Sequence, residues 1–160
     1  MNLNNTVMWG AIVGALLDVI MRTMADGKIT VPDKMSNSST FQSIKSYMDT
    51  TSPYKSAGVS AAMSALALAF AGRIAPLQKG MKAVDAVKFV AAGAAGMVAV
   101  GFAARMSTMF PDLQSTVYTG EEAKDMVLFD SLTGVVLSST VLLLVSLARL
   151  LRVEKALSPL

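Results

Sequence analysis

The sequence predicts an all-α, polytopic integral membrane protein with a bundle of four transmembrane helices. Long blocks of the chain carry no charge: after Asp130, the next charged residue is Arg149. An α-helix rises ~1.5 Å per residue and the hydrocarbon core of a bilayer is ~30 Å thick, so such a block can cross a membrane. Charged residues make up 16% of the chain, whereas a soluble domain typically has ~25%. Those that remain lie mostly near the ends of the blocks and between them.

The uncharged blocks divide the chain, residues 1–160, into a single membrane domain. We expect its transmembrane helices at about 6–25, 54–75, 81–104 and 120–152, with an extramembrane loop at 26–53. Within that loop Phe41, Ile44 and Met48 recur at helical spacing, which predicts a short amphipathic helix. This helix could lie on the membrane surface or form a lid on a neighbouring subunit.

Residues near the ends of the blocks predict where the helices start and stop. Asn5 or Thr6 could cap the first helix, and Gly27 stands where a C-terminal glycine is expected. Ser52 precedes Pro53, so Ser52 should cap the second long helix with the proline in its first turn.

Small residues at spacing four predict tight packing between helices, because association in lipid depends on close van der Waals contact. The candidate helix-packing residues are Gly10, Gly14, Ala57, Ala61, Ala65, Ala69, Gly93, Gly96, Gly101 and Gly134. They exceed what four short helices need for internal packing, which predicts self-association or incorporation into a larger assembly.

A second set of residues is polar and lies inside the predicted transmembrane helices: Asp18, Arg22, Asp85, Lys88, Asp130 and Ser138. Ionisable groups in a membrane are costly and often mark proton or ion pathways. However, no acid falls at a predicted midplane, and two have a base within about one turn. They could therefore be interfacial ion pairs and helix caps. The predicted topology places Asp18 and Asp130 toward one side and Asp85 toward the other.

Several kinds of chemistry find no support in the residue types. The chain has no Cys and no His, so thiolate nucleophiles, imidazole bases and the common zinc and haem ligand sets are excluded. No phosphate-binding glycine loop or basic stripe interleaved with aromatic residues occurs. We therefore predict no catalytic residue, no cofactor, no metal site, no nucleic-acid partner and no identified small-molecule substrate, and we expect the protein not to be an enzyme.

The pattern favours a structural role: a non-enzymatic integral membrane protein that packs as a homo-oligomer or as a subunit of a larger assembly. Its partners would be the lipid bilayer and copies of itself or other membrane subunits, in a membrane complex or in the internal membrane of a lipid-containing virion. The alternative is a small ion or proton channel, holin or transporter that uses the intramembrane Asp residues. The density of Lys and Arg places both termini on the cytoplasmic or interior side.

Overall fold

The computed structural model describes residues 3–77, 81–106 and 120–150, and all the regular secondary structure in these ranges is helical. The helices are α1 (Leu3–Ala25), α2 (Asp33–Ser36), α3 (Ser39–Thr50), α4 (Pro53–Ile74), α5 (Ala83–Met106) and α6 (Gly120–Leu150). Four of them, α1, α4, α5 and α6, are long and apolar enough to cross a membrane. The prediction of an all-α chain with four such helices is therefore confirmed, and these helices indicate a membrane-embedded protein. The predicted end of the last helix, at residue 152, lies outside the described residues.

The turn after α1 forms as its glycine predicts. Gly27 has a φ of +78°, in the left-handed region that favours glycine. Its amide donates to the carbonyl of Met24 at 3.1 Å, and the amide of Lys28 donates to that of Thr23 at 3.1 Å. These two bonds are the Schellman pattern, which satisfies carbonyls left over at a helix C-terminus.

The start of α4 also follows the prediction, whereas the start of α1 does not. Ser52 accepts a hydrogen bond from the amide of Lys55, and Pro53 is in the first turn. The helix α1 already begins at Leu3, so Asn5 and Thr6 lie within it and do not cap it. Thr6 is fully buried, and this tertiary packing outweighs its preference for a cap position.

The long helices pack side by side in the order α1, α4, α5 and α6. Contacts are extensive between α1 and α4, α4 and α5, and α5 and α6, but sparse between α6 and α1. The bundle is therefore well closed on three sides and has a looser seam between α1 and α6. Contacts of Gly10 with Leu68 and of Asp18 with Ser56 show that α1 and α4 are antiparallel.

The outer faces of the long helices carry large apolar side chains. Leu16, Leu66, Val87 and Leu143 are each more than half exposed. Apolar surface on this scale is unfavourable in water and suits a lipid environment. The bundle thus has the apolar exterior that the uncharged blocks of the sequence predict.

The short helix α3 covers one end of the bundle, which we call the capped end: the end where α1 and α5 finish and where α4 and α6 begin. Phe41 and Met48 on α3 are buried and Ile44 is half-buried. Met48 and Ile44 pack with Met21 and Ala25 of α1. The apolar face of α3 therefore lies on its own chain.

The interior of the opposite half of the bundle is mainly apolar. Phe89, Leu68, Leu137 and Val141 are completely buried there, and Val13 is nearly so. They form one continuous core cluster. The buried polar residues of this half include Asn5 and Thr6 of α1.

Candidate functional site

The candidate site is built around Asp18, which is only 4% exposed and lies on α1 near the capped end. Each carboxylate oxygen accepts a hydrogen bond from a serine hydroxyl on α4. Ser56 Oγ donates to Oδ2 at 2.8 Å, and Ser60 Oγ donates to Oδ1 at 2.9 Å. These serines are four residues apart and so share a face of α4. The acid predicted in the first transmembrane helix is thus held by the second.

Ser56 also connects Asp18 with Arg22. The guanidinium Nη2 of Arg22 donates to Ser56 Oγ at 2.7 Å. A serine hydroxyl has one proton and two acceptor lone pairs, so Ser56 can accept from Arg22 while donating to Asp18. Within the described residues no direct hydrogen bond joins Asp18 and Arg22, although they are four residues apart on α1. The predicted acid–base pair is therefore bridged by a hydroxyl.

Arg22 extends this network to the C-terminus of α3. Its Nη1 donates to the carbonyl of Met48 at 2.9 Å, and its Nη2 donates to the carbonyl of Thr51 at 3.1 Å. Carbonyls at a helix C-terminus lack intrahelical partners and carry partial negative charge, so they suit a guanidinium. A continuous chain of hydrogen bonds thus runs from Asp18 through Ser56 and Arg22 to the end of α3.

The N-terminal end of α3 is attached to α6. Asp125 Oδ2 accepts a hydrogen bond from the amide of Thr40 at 3.1 Å. A carboxylate at a helix N-terminus satisfies an amide that the helix cannot satisfy itself. The two ends of α3 are therefore fixed to α1 and to α6, across the seam between those helices.

A cavity of about 140 Å³ lies beneath α3, and Asp18 and Asp130 both line it. Asp130 is on α6 and is 6% exposed. The other polar groups of the lining include Ser60, Ser64 and Thr133. Two buried acids from different helices thus line one space, which we call the Asp18–Asp130 cavity.

The rest of the lining is apolar and rich in Met: Leu17, Met21, Ile44, Tyr47, Met48, Val59, Met63, Met97, Ala104 and Phe129, together with Gly14 and Gly101. Ile44, Tyr47 and Met48 come from α3, so this helix forms part of the cavity wall. Met side chains adapt to irregular space because they are unbranched and have flexible thioethers. The wall can therefore change shape more easily than one of β-branched residues.

The predicted glycines of α1 make the closest approach to α4. A Cβ atom on Gly14 would lie 2.7 Å from the carbonyl oxygen of Ser60, and one on Gly10 would lie 3.1 Å from that of Ser64. Any larger residue at Gly14 would push the helices apart. The glycines therefore bring Asp18 within hydrogen-bond distance of the serines.

The pair α5 and α6 is packed in the same way, by Gly93 and Gly134. A Cβ atom on Gly134 would lie 2.6 Å from both the Cα of Ala94 and the carbonyl oxygen of Gly93. Ser138 is fully buried at this contact and donates to the carbonyl of Gly134 at 2.6 Å. Gly96 packs on the backbone of α4, where its Cβ would lie 3.0 Å from the carbonyl oxygen of Ala67.

The alanine row of α4 is placed differently from these glycines. Ala57, Ala61, Ala65 and Ala69 are all half-buried, along the flank of the buried face. The fully buried positions of α4 are Ser56, Ser64, Ala67, Leu68, Ala71 and Gly72. The predicted row therefore borders the contact, and the serines lie at its centre.

Asp85 and Lys88 are not part of the cavity. Asp85 is half-buried in the first turn of α5, at the end opposite α3, and Lys88 is exposed. No hydrogen bond joins the two side chains within the described ranges. The structure thus brings two of the three predicted acids together and leaves the third apart.

The cavity combines oxygen ligands with space for water. Carboxylate and hydroxyl oxygens are the ligands that hard cations take. One water molecule needs ~10–15 Å³ of cavity volume. The cavity, at about 140 Å³, therefore has space for several. Among the described residues no group of three or more His, Cys, Asp or Glu side chains could bind a metal ion. A small cation in this cavity would therefore keep part of its hydration.

Comparisons with protein-family models, curated proteins and solved structures find no match for this chain. Its function must therefore be inferred from the geometry of the cavity and of the surfaces around it.

Sequence reasoning missed the serine partners of Asp18 and the role of α3. Ser56, Ser60 and Ser64 recur every four residues, and this polar row in an otherwise apolar helix could have indicated a buried partner. Nothing in the sequence pattern indicates that Arg22 would bind carbonyls at residues 48 and 51, because that contact depends on how the 26–53 connection folds back.

Proposed function

We propose that this protein is a small integral membrane transport protein that takes up a monovalent cation, a proton or an alkali metal ion, in the Asp18–Asp130 cavity. The observation that carries the proposal is the shared cavity: two acids, each more than nine-tenths buried, line it from α1 and α6. An intramembrane acid is expensive and is typically kept where a substrate or ion needs it.

The packing of the bundle supports a transporter or a gated pore over a permanently open channel. The cavity is covered by α3 at one end, and the apolar core that includes Leu68, Phe89 and Leu137 fills the other end. A cation that enters at the capped end can leave on the far side only after the helices move. With the termini on the cytoplasmic side, the capped end faces away from the cytoplasm.

Liposome flux assays with purified protein test this proposal. Proteoliposomes that contain a pH-sensitive dye, or a K⁺- or Na⁺-sensitive dye, are given a gradient of the corresponding ion. We expect flux of at least one ion with the wild-type chain and a loss of at least tenfold with Asp18→Asn or Asp130→Asn.

Asp85→Asn is the matched control, because Asp85 lies outside the cavity but is also an acid in a long apolar helix. It should retain the wild-type flux. Size-exclusion chromatography and circular dichroism establish that each variant is folded. Folded wild-type protein without flux of any of these ions, or equal loss in all three variants, would contradict the proposal.

A structural role through self-association is the second candidate, and one observation favours it. Ala91, Ala95, Ala99 and Ala103 are all exposed, and they form a small-residue row on the outer face of α5. Such a row lets a second copy approach closely in lipid. By contrast, Gly10, Gly14, Gly93 and Gly134 are used within the chain, so they give no support to a contact between copies.

Disulfide cross-linking in the membrane tests this second candidate, since the chain has no native Cys. Ala95→Cys should form a dimer on mild oxidation, whereas Leu143→Cys, exposed on α6, should not. Equal cross-linking at both positions would indicate random collision and would count against a specific interface.

A further inference from the structure

A second cavity, which shares part of its lining with the Asp18–Asp130 cavity, opens along the seam between α1 and α6. It has a volume of about 520 Å³ and is lined by Ile20 on α1 and by Leu128, Leu132 and Val136 on α6, among other apolar residues. Ile20, Leu128, Leu132 and Val136 are all exposed. We call this the seam groove.

The seam groove has the depth of one bilayer leaflet. Its lining on α6 extends from Asp125 to Val136, which corresponds to ~16 Å at ~1.5 Å per residue. Half of a hydrocarbon core of ~30 Å is ~15 Å. Lys34, Ser38 and Asp125 line its capped end, whereas the far end is lined by Leu132 and Val136. The one polar residue of the lining near that end, Thr133, donates its hydroxyl to the carbonyl of Phe129. This is the polarity profile of a phospholipid with its headgroup at the capped end.

Lys34 is the positively charged residue in the lining of the groove, at the capped end. Lys34 is exposed, and its ammonium makes no hydrogen bond or ion pair with the described residues. Asp125 also lines this end, but its carboxylate accepts the amide of Thr40 at the N-terminus of α3. A helix N-terminus offsets negative charge. Lys34 is therefore the group in the lining of the groove that can bind an anionic phosphate.

We propose that the seam groove binds one anionic phospholipid of the adjacent leaflet, with an acyl chain between α1 and α6 and its phosphate at Lys34. An acyl chain gains little by exchanging bulk lipid for an apolar groove, so headgroup charge and shape must supply the selectivity. One lysine near an anionic headgroup gives roughly a fivefold preference over a zwitterionic lipid. This site does not depend on cation transport.

Quenching of tryptophan fluorescence by brominated lipids tests the proposal. The single native tryptophan is replaced (Trp9→Phe), and a reporter is placed either in the groove (Leu132→Trp) or on the outer face of α4 (Leu66→Trp). Quenching is measured in mixtures of brominated and unbrominated phosphatidylglycerol and phosphatidylcholine. We expect a relative binding constant for phosphatidylglycerol of roughly five at Leu132→Trp and of about one at Leu66→Trp, where only bulk lipid is in contact.

Lys34→Gln should abolish the preference at Leu132→Trp. Equal constants at the two reporter positions, or a preference that survives Lys34→Gln, would overturn the proposal. A tryptophan reporter could itself fill the groove. Native mass spectrometry of the chain with Trp9 and Leu132 unchanged therefore provides a second measurement. Retention of phosphatidylglycerol should fall with Lys34→Gln and not with Lys45→Gln, an exposed lysine of α3 outside the groove. An equal fall would also overturn it.

Discussion

The hydroxyl of Ser56 donates to Asp18 at 2.8 Å, and this bond crosses the interface between α1 and α4. Because Ser56 also accepts from Arg22, the bond links a buried acid to the residue that holds the C-terminus of α3. We therefore expect a change at Asp18 to affect the helix that covers the cavity.

Ser56→Ala should destabilise the protein more than Ser60→Ala. Ser56 takes part in two long-range side-chain hydrogen bonds, with Asp18 and Arg22, whereas Ser60 makes one, with Asp18. Hydrogen bonds between transmembrane helices are worth ~0.6 kcal/mol on average, so we expect losses of about 1 and about 0.6 kcal/mol. Unfolding in detergent measures both values, and a larger loss for Ser60→Ala would contradict the assigned network.

Arg22→Gln should loosen the C-terminal turn of α3. The substitution shortens the side chain and removes the charge that holds the carbonyls of Met48 and Thr51. Hydrogen–deuterium exchange should become faster at residues 47–51 and stay unchanged in α5. Arg73→Gln is the control, because Arg73 is exposed at the other end of α4. Unchanged exchange at 47–51 would show that apolar packing alone fixes this turn.

Asp125→Ala should release the other end of α3. It removes the carboxylate that accepts the amide of Thr40, and the first turn of a helix depends on such acceptors. Exchange should therefore rise at residues 40–43 before it rises at 47–51, the reverse of the order expected for Arg22→Gln. The same exchange pattern in both variants would mean that α3 opens as one unit.

Gly14→Ala and Gly58→Ala form a matched pair that tests the close approach of α1 and α4. A Cβ atom on Gly14 would lie 2.7 Å from the carbonyl oxygen of Ser60, whereas one on Gly58 would meet nothing within 4 Å. We expect Gly14→Ala to lower the free energy of unfolding by about 1–3 kcal/mol, as overpacking does. Gly58→Ala should be neutral or stabilising, because Ala is the better helix former by ~1 kcal/mol. Equal effects would mean that the helices can separate without loss.

The helices could be predicted from the sequence because their signals are local. Ser52 with Pro53 starts α4, Gly27 ends the helix α1, and uncharged length fixes which helices can cross a membrane. Asn5 and Thr6 do not cap α1, contrary to the prediction, because burial, a tertiary effect, outweighs their preference for cap positions. The order of the predicted helices is enough to place Asp18 and Asp130 toward the same side of the membrane.

The site itself could be predicted only in part. That Asp18 and Asp130 line one cavity depends on the looser seam between α1 and α6, which no spacing encodes. The contacts of Arg22 with α3 depend on the path of a connection that has no strong pattern. Single residues could thus be singled out as candidates, whereas their partners, such as Ser56, required the packed bundle.

Leu17, Met21, Phe129 and Thr133 line both the Asp18–Asp130 cavity and the seam groove. These side chains therefore separate the space that the two acids line from the groove at the surface of the bundle. Truncating one of these four, for instance Phe129→Ala, would join the two spaces and give the carboxylates a sideways route to hydrocarbon. The separation of the acids from hydrocarbon thus depends on the bulk of a few residues rather than on the thickness of the bundle.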